Sequence, residues 1–271
     1  MNNIKSTPVS HISYFRKLAI GTWSHPNDPT YYGKIHLDLK HIKPFLENLN
    51  KNTQLNVSIN HVAAKIMSLV FAKYPYLNTV LIRNKPRQRT SVSTFFQTHL
   101  RHKDGYDLLG ININDSNLKS LAAIASEVAD KTKKLRLKKD KPMERAKRLI
   151  GFVPVRLMTL LVAVFDFILY TLNIKCLGLP DDKYGSFGLT SVGSLGIDEA
   201  YVPLFPFSRC GMMIAVGKER QDVGISHNNV VIKDIVTLTF TCDHRYFDGA
   251  HLAKPLRFIR KIEQHPEKFL T

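Results

Sequence analysis

Apolar side chains recur along this chain with two different periods, and the periods separate predicted helices from predicted strands. Ile59, Val62, Ala63, Ile66, Met67, Val70 and Phe71 fall at three- and four-residue intervals, the spacing of an amphipathic helix. Ser58 is placed to cap its start. Pro75 ends it, because proline disfavours helical geometry in the residue ahead. Residues 31–37 alternate weakly and predict a strand. Residues 79–112 are strand-like around a polar stretch, 84–90, that suits a hairpin loop. A second helix is predicted from about Leu118, with Leu121, Ala122, Ala125, Val128 and Ala129 on one face. In the last third, residues 187–190, 211–216 and 230–242 form short apolar or alternating runs cut by Gly, Pro and Asn turns, and predict strands. A closing helix follows Asp248, with Leu252, Leu256, Ile259 and Ile262 aligned. Helices and strands are mixed without regular alternation, which predicts an α+β fold rather than a doubly wound parallel sheet.

One segment breaks the pattern. Residues 150–172 carry only Arg156 and Asp166 as charges and are apolar on nearly every face. Such a helix is buried in a core, in a partner or in lipid. Its uncharged runs, 157–165 and 167–174, are short of the roughly 20 residues that a membrane span needs.

Composition adds limits. The 271 residues are 44% hydrophobic and 23% charged, ordinary for a globular chain with a sizeable core. Three widely spaced cysteines (Cys176, Cys210, Cys242) fit neither a disulfide framework nor a zinc site. With no secretory signal at the start of the sequence, a cytoplasmic setting is expected. The net charge of +17 is concentrated in residues 131–148, where ten Lys/Arg oppose only Asp140 and Glu144. Such a run attracts phosphates, on a cofactor, an anionic lipid or nucleic acid, or else is a solvated helix face. Nucleic acid is the weakest of these, because zinc-finger spacing, an RNP-like aromatic motif and a helix-turn-helix are all lacking.

The candidate chemistry lies near the C-terminus. Alternation from Thr237 to Cys242 makes a strand, and His244 falls in the tight connection that follows. Rigid scaffolds present reactive side chains at such places, and a histidine there can be a base, a ligand or a surface residue. Asp248 suits the N-cap of the closing helix. His244 and Asp248 at i, i+4 lack a third ligand, so no metal site is expected. Cys242, of the same parity as His244, reads as a packed strand residue rather than a nucleophile.

The run Asp243-His244-Arg245-Tyr246-Phe247-Asp248-Gly249 resembles the Asp-His-Arg-x-x-Asp-Gly signature of the dihydrolipoamide acyltransferase (E2) catalytic domain. Chloramphenicol acetyltransferase shares that fold and carries a His-x-x-x-Asp-Gly version. Phe187-Gly188-Leu189-Thr190-Ser191-Val192-Gly193-Ser194-Leu195-Gly196 is similar to the family's Phe-Thr-Leu-Ser-Asn-Ile-Gly-Ser-Ile-Gly. Pro75-Tyr76-Leu77-Asn78 looks like the Pro-x-Leu-Asn that ends its first core helix, and Pro203 with residues 211–217 resembles its proline-rich turn and strand. Tyr14-Phe15-Arg16-Lys17 resembles the opening motif of chloramphenicol acetyltransferase. The likeness runs over about residues 12–270, apart from an insert at about 140–182.

The resemblance implies a chloramphenicol acetyltransferase-like two-layer sandwich, a mixed β-sheet with helices on one face, here with a basic and apolar helical insert. Residues 1–271 would form one catalytic domain, with 1–11 as an N-terminal arm. It also implies roles. His244 would be the base and Thr190 the hydroxyl that stabilises the oxyanion, with Ser191 as the fallback donor. Asp248 would pair with Arg16 and hold the loop. Gly249 would allow close backbone approach, and Arg245 would support the base. The active sites would lie between subunits of a homotrimer.

Three departures bear on the substrate. No lipoyl domain, subunit-binding domain or linker precedes residue 12, so no own lipoyl group is expected. The insert is longer and oilier than the usual connection. Thr190-Ser191 also replaces a Ser-Asn pair. The expected activity is therefore that of a free-standing acyltransferase. It would move an acyl group from coenzyme A or a phosphopantetheine carrier to a thiol, hydroxyl or amine of a small-molecule or lipid acceptor. Contact with an anionic membrane on its cytoplasmic face is a further expectation. The alternatives are a non-catalytic trimeric scaffold and a chloramphenicol-type antibiotic acetyltransferase.

Overall fold

The structure, a computed structural model, describes residues 5–9, 28–102, 105–137, 154–174, 182–204, 208–226 and 228–271. Its strands in chain order are β1 (Ser6–Pro8), β2 (Thr30–Asp38), β3 (Thr79–Ile82), β4 (Lys85–Arg89), β5 (Thr94–His102), β6 (Gly105–Ile113), β7 (Phe187–Ser191), β8 (Met212–Val216), β9 (Arg220–Ser226) and β10 (Asn229–Asp243). Its α-helices are α1 (Ile42–Thr53), α2 (Ile59–Lys73), α3 (Leu121–Arg136), α4 (Val155–Asp166), α5 (Gly249–Gln264) and α6 (Pro266–Phe269).

The larger sheet has seven strands in the order β2-β10-β8-β7-β5-β6, with β9 also on β10. The β5–β7 and β7–β8 joins are parallel and the others antiparallel, so the sheet is mixed. Leu238 and Phe240 of β10, Ile214 of β8, Leu189 of β7 and Phe96 of β5 share one core with Val62, Ile66 and Val70 of α2, Ile124 of α3 and Ile259 of α5. The expected α+β sandwich, helices on one face of a mixed sheet, is what the structure shows. Thr237, Thr239 and Thr241 take the alternate positions of β10 and are buried as well. Threonine satisfies a covered second face because it is β-branched and can spend its hydroxyl locally. Thr237 Oγ1 accepts from Arg220 Nη1 at 2.9 Å, and Thr239 donates to the Ala200 carbonyl.

Helix α2 begins with Ser58 at its N-cap and ends at Lys73, directly before Tyr74-Pro75, as the sequence predicts. Pro255 lies inside α5, where it cannot donate to the carbonyl four residues back. That carbonyl, of His251, instead accepts from the Tyr76 hydroxyl at 2.8 Å. The Pro75-Tyr76-Leu77-Asn78 segment thus secures the helix that follows the histidine motif.

Several predictions from pattern need correction. The polar stretch 84–90 is not a loop: Lys85–Arg89 is strand β4, paired with β3 and β1 in a separate three-stranded sheet. The turn between β3 and β4 is only Arg83-Asn84, both with positive φ, the two-residue geometry that matches strand twist. Helix α3 begins at Leu121 behind the cap of Ser120, and Ile124 and Leu135 are buried where Ala129 is exposed. Leu118 stands in solvent. Helix α1 and strand β9 were not predicted. In α1 only Ile42 is fully buried, with Phe45, Leu46 and Leu49 packed at the edge of the core. The apolar insert forms α4 and then a π-helical turn, Phe167–Thr171, of which only Leu169 and Tyr170 are buried.

Candidate active site

The last residues of β10 and the turn into α5 are locked from four sides. Asp243 donates its N–H to the Gly211 carbonyl at 3.0 Å, and His244 donates its N–H to the Pro29 carbonyl at 2.9 Å. The Tyr246 N–H closes the turn on the Asp243 carbonyl, 3.1 Å away, while Phe247 is fully buried beneath it. Gly211 leaves room for these rings: a Cβ there would meet Phe247 at 3.1 Å and Tyr246 at 3.2 Å. A backbone held this way fixes the direction in which the His244 side chain leaves the chain. The ring is half-buried and meets Tyr31, across the sheet on β2, edge-on with centroids 5.4 Å apart.

Arg245 turns back onto the preceding residue. Its Nε and Nη2 reach the carboxylate of the buried Asp243 at 3.1 and 2.7 Å, and its N–H donates to the same carboxylate at 2.8 Å. Burial works against the guanidinium charge, but Asp243 offsets it and the Arg245 pKa is raised. Charge-assisted, two-pronged contacts of this kind are the stronger class of hydrogen bond. The support that the resemblance implies for Arg245 is therefore a clamp on the strand end, and Asp243 is its partner.

A buried polar chain stands behind the turn. Arg89, 3% exposed, pairs with Asp182 at 2.8 Å and donates to the carbonyls of Thr79 and Arg209. The Arg209 carbonyl also accepts the Tyr246 hydroxyl at 3.2 Å. Burial raises the Tyr246 and Cys210 pKa values to about 12, so both stay neutral. None of this has a signature in sequence, because Arg89, Asp182, Arg209 and Tyr246 are far apart along the chain. Tyr31 was likewise unreadable: only the register opposite Cys242 brings it to His244.

Asp248 caps α5. One of its carboxylate oxygens accepts from the Ala250 N–H at 3.0 Å and the His251 N–H at 3.3 Å, and meets His251 Nδ1 at 2.7 Å. The pairing with Arg16 lies outside the described residues, as does the Tyr14-Phe15-Arg16-Lys17 motif. Gly249 is not required by packing within the single chain. Among the described residues a Cβ at this position would meet nothing within 4 Å, and its φ is not in the left-handed region. Cys242 is fully buried and its thiol is pushed up to about 12 by burial, which fits packing and not nucleophilic attack.

Thr190 is buried on β7 and Ser191 is half-buried after it. Thr190 lies beside Ala215 of β8, which lies beside Thr239 of β10. Two strand spacings of about 4.8 Å and five residues of about 3.3 Å rise put Thr190 and His244 on the order of 19 Å apart. One chain therefore does not bring both onto a single carbonyl. Beside the turn a pocket of about 230 Å³ opens between Pro29, Tyr32, Leu204, Arg209, Asp243 and Arg245. His244 itself is not among the residues that line this pocket, although its chain neighbours Asp243 and Arg245 are.

Residues 174–271 match the family model of the 2-oxoacid dehydrogenases acyltransferase (catalytic domain). That match covers the C-terminal segment that carries the histidine motif. The dihydrolipoamide acetyltransferase of Azotobacter vinelandii superimposes with a TM-score of 0.67 at 17% identity, over 99% of this chain and 94% of the other. A probable dihydrolipoamide acetyltransferase from Listeria monocytogenes gives 0.63 at 16% identity, over 94% of each chain. The cubic core of a pyruvate dehydrogenase multienzyme complex gives 0.66 at 16% identity, over 97% and 94%. At such identities the likeness establishes the fold, and it does so over nearly the whole chain. No curated protein sequence matches this one.

Proposed function

We propose that the protein transfers an acyl group from a thioester donor, acyl-coenzyme A or an acyl carrier protein, to a thiol, hydroxyl or amine acceptor. The observation that carries this reading is His244, fixed by the Pro29 carbonyl and the Asp243–Arg245 clamp inside the acyltransferase-type segment. His244 takes the acceptor's proton as the acceptor attacks the thioester carbonyl, then returns it to the departing thiolate. A hydroxyl at Thr190, with Ser191 as the alternative, donates to the oxyanion of the tetrahedral intermediate. In the Azotobacter vinelandii enzyme the residues investigated for the mechanism are a serine, a histidine and an asparagine four residues after it. His244 and Asp248 have the same spacing, and Asp248 here steadies α5 rather than moving protons.

The separation of Thr190 and His244 within one chain supports a site shared between subunits of a homotrimer, in which His244 works with Thr190 of the partner subunit. An exposed apolar ladder supports the assembly. Val223 faces Ile232 and Ile225 faces Val230 across the β9–β10 hairpin, each 70–77% exposed in the single chain. Apolar surface this concentrated marks a contact with another chain.

The test is thiol release from a panel of short- and long-chain acyl-coenzyme A donors. His244→Ala is expected to lower kcat by about 10²–10⁴, and Thr190→Val by about 10²–10³. Mixing the two inactive variants should restore about a quarter of the sites if subunits assort at random in a closed trimer. Absence of His244-dependent turnover with every donor and carrier sinks the enzyme reading; failure of the mixture to recover activity sinks the shared site.

A further inference from the structure

Helix α4 presents a second surface, on the side of the helix turned away from the Asp166–Arg209 pair. Leu157, Leu160, Val164 and Phe167 recur at i, i+3, i+7 and i+10 and so form one stripe. They are 53, 63, 46 and 52% exposed. The other side of the segment is fastened to the body. Leu169 and Tyr170 of the π turn pack on Val80 and Ile82 of β3, and the Tyr170 hydroxyl donates to the Ser208 carbonyl at 3.3 Å. Arg83 donates to the Tyr170 and Thr171 carbonyls at 3.2 and 2.8 Å. Asp166, the one acidic residue of the insert's apolar stretch, is turned inward onto Arg209. The stripe is therefore held outward by fixed contacts, and its carboxylate is neutralised away from it.

We propose that this stripe seats the protein on an anionic lipid bilayer, with α4 lying in the plane of the interface. From Val155 to Thr171 the segment is about 26 Å long at 1.5 Å per residue, and no helix among the described residues is long and apolar enough to cross a membrane. A short helix with an exposed apolar stripe and a basic run beside it in sequence lies in the headgroup boundary instead. Charge selects the occupant. The sequence leading into α4 carries ten Lys/Arg in residues 131–148, within a chain of net charge +17. An anionic leaflet neutralises a basic run next in sequence to such a stripe, whereas a second copy would double its charge. The inference stands apart from the acyl-transfer reading, since the stripe itself contains none of the residues placed around His244.

The test is flotation of the full chain with phosphatidylcholine vesicles, with and without phosphatidylglycerol. The chain is expected to float with the anionic vesicles and to stay behind with the neutral ones. Added salt should weaken binding, because it screens the charges. Leu160→Glu combined with Phe167→Glu should lower the bound fraction by about tenfold or more, with unchanged circular dichroism and thiol release. Should that pair fail to fold, Leu157→Gln with Val164→Gln serves the same purpose. The proposal is overturned if neither vesicle carries the chain or if neutral vesicles bind equally well. It is also overturned if the stripe variants float like wild type, or if they change the molar mass in solution, which would make the stripe a contact between copies.

Discussion

Strand β10 contains two environments under one alternating pattern. From Ile235 to Asp243 every residue is buried, with β2 on one edge and β8 on the other. From Asn229 to Asp234 the strand keeps β9 on one edge, and Val230 and Ile232 stand 75 and 72% exposed. The apolar residues are of the same kind in both halves. What differs is whether the described residues supply a second layer to cover them: they do so for the inner half and leave the apolar residues of the outer half exposed. The inner half ends in the His244 turn, and its rigidity fixes where the histidine stands.

The largest effect that tests this contrast is in the inner half. Leu238→Ala, between Ile35 and Val216, should cost about 2–5 kcal/mol of unfolding free energy by removing a fully buried side chain. Denaturant titration measures it, and a loss below 1 kcal/mol would mean the inner half is less packed than described. Next is Asp243→Ala, which strips Arg245 of its partner at the strand end. A cost of about 1–3 kcal/mol is expected, softened by the partial exposure of Arg245. Thiol release should fall with it, and an unchanged rate would show that the clamp does not position His244. Smallest is Ile232→Lys in the outer half. Unfolding of the single chain should change by no more than about 0.5 kcal/mol, while light scattering should show the assembly reduced to single chains. Retention of the wild-type mass after this change would overturn the reading of the hairpin as the subunit contact.

Period and punctuation made much of this legible beforehand. The run Ile59 to Phe71, the strand runs at 187–190 and 211–216 and the inner part of 230–242 were readable because each buries a continuous face, which forces a regular spacing. Ser58 and Asp248 were readable as caps because capping is local. Elements with thin burial were not. Helix α1 keeps one fully buried residue, and β9 alternates polar residues with apolar ones that face away from the core of the chain. Strand β4, Lys-Pro-Arg-Gln-Arg, carries almost no hydrophobic signal at all, because its place is given by pairing with β3 and β1.

The candidate site divides in the same way. The sequence by itself determined the strand–turn–helix around His244, the cap at Asp248, and the resemblance of residues 243–249 to an acyltransferase signature, since all three depend on neighbours within a few positions. Only the tertiary structure decided that Asp243 and Arg245 grip each other, that Tyr31 and the Pro29 carbonyl meet His244, and that Thr190 and His244 of one chain stand far apart. It also left Gly249 in open space within the chain and turned the α4 stripe outward. These outcomes depend on strand order and register, which set distances between residues remote in sequence, and no local pattern encodes those distances.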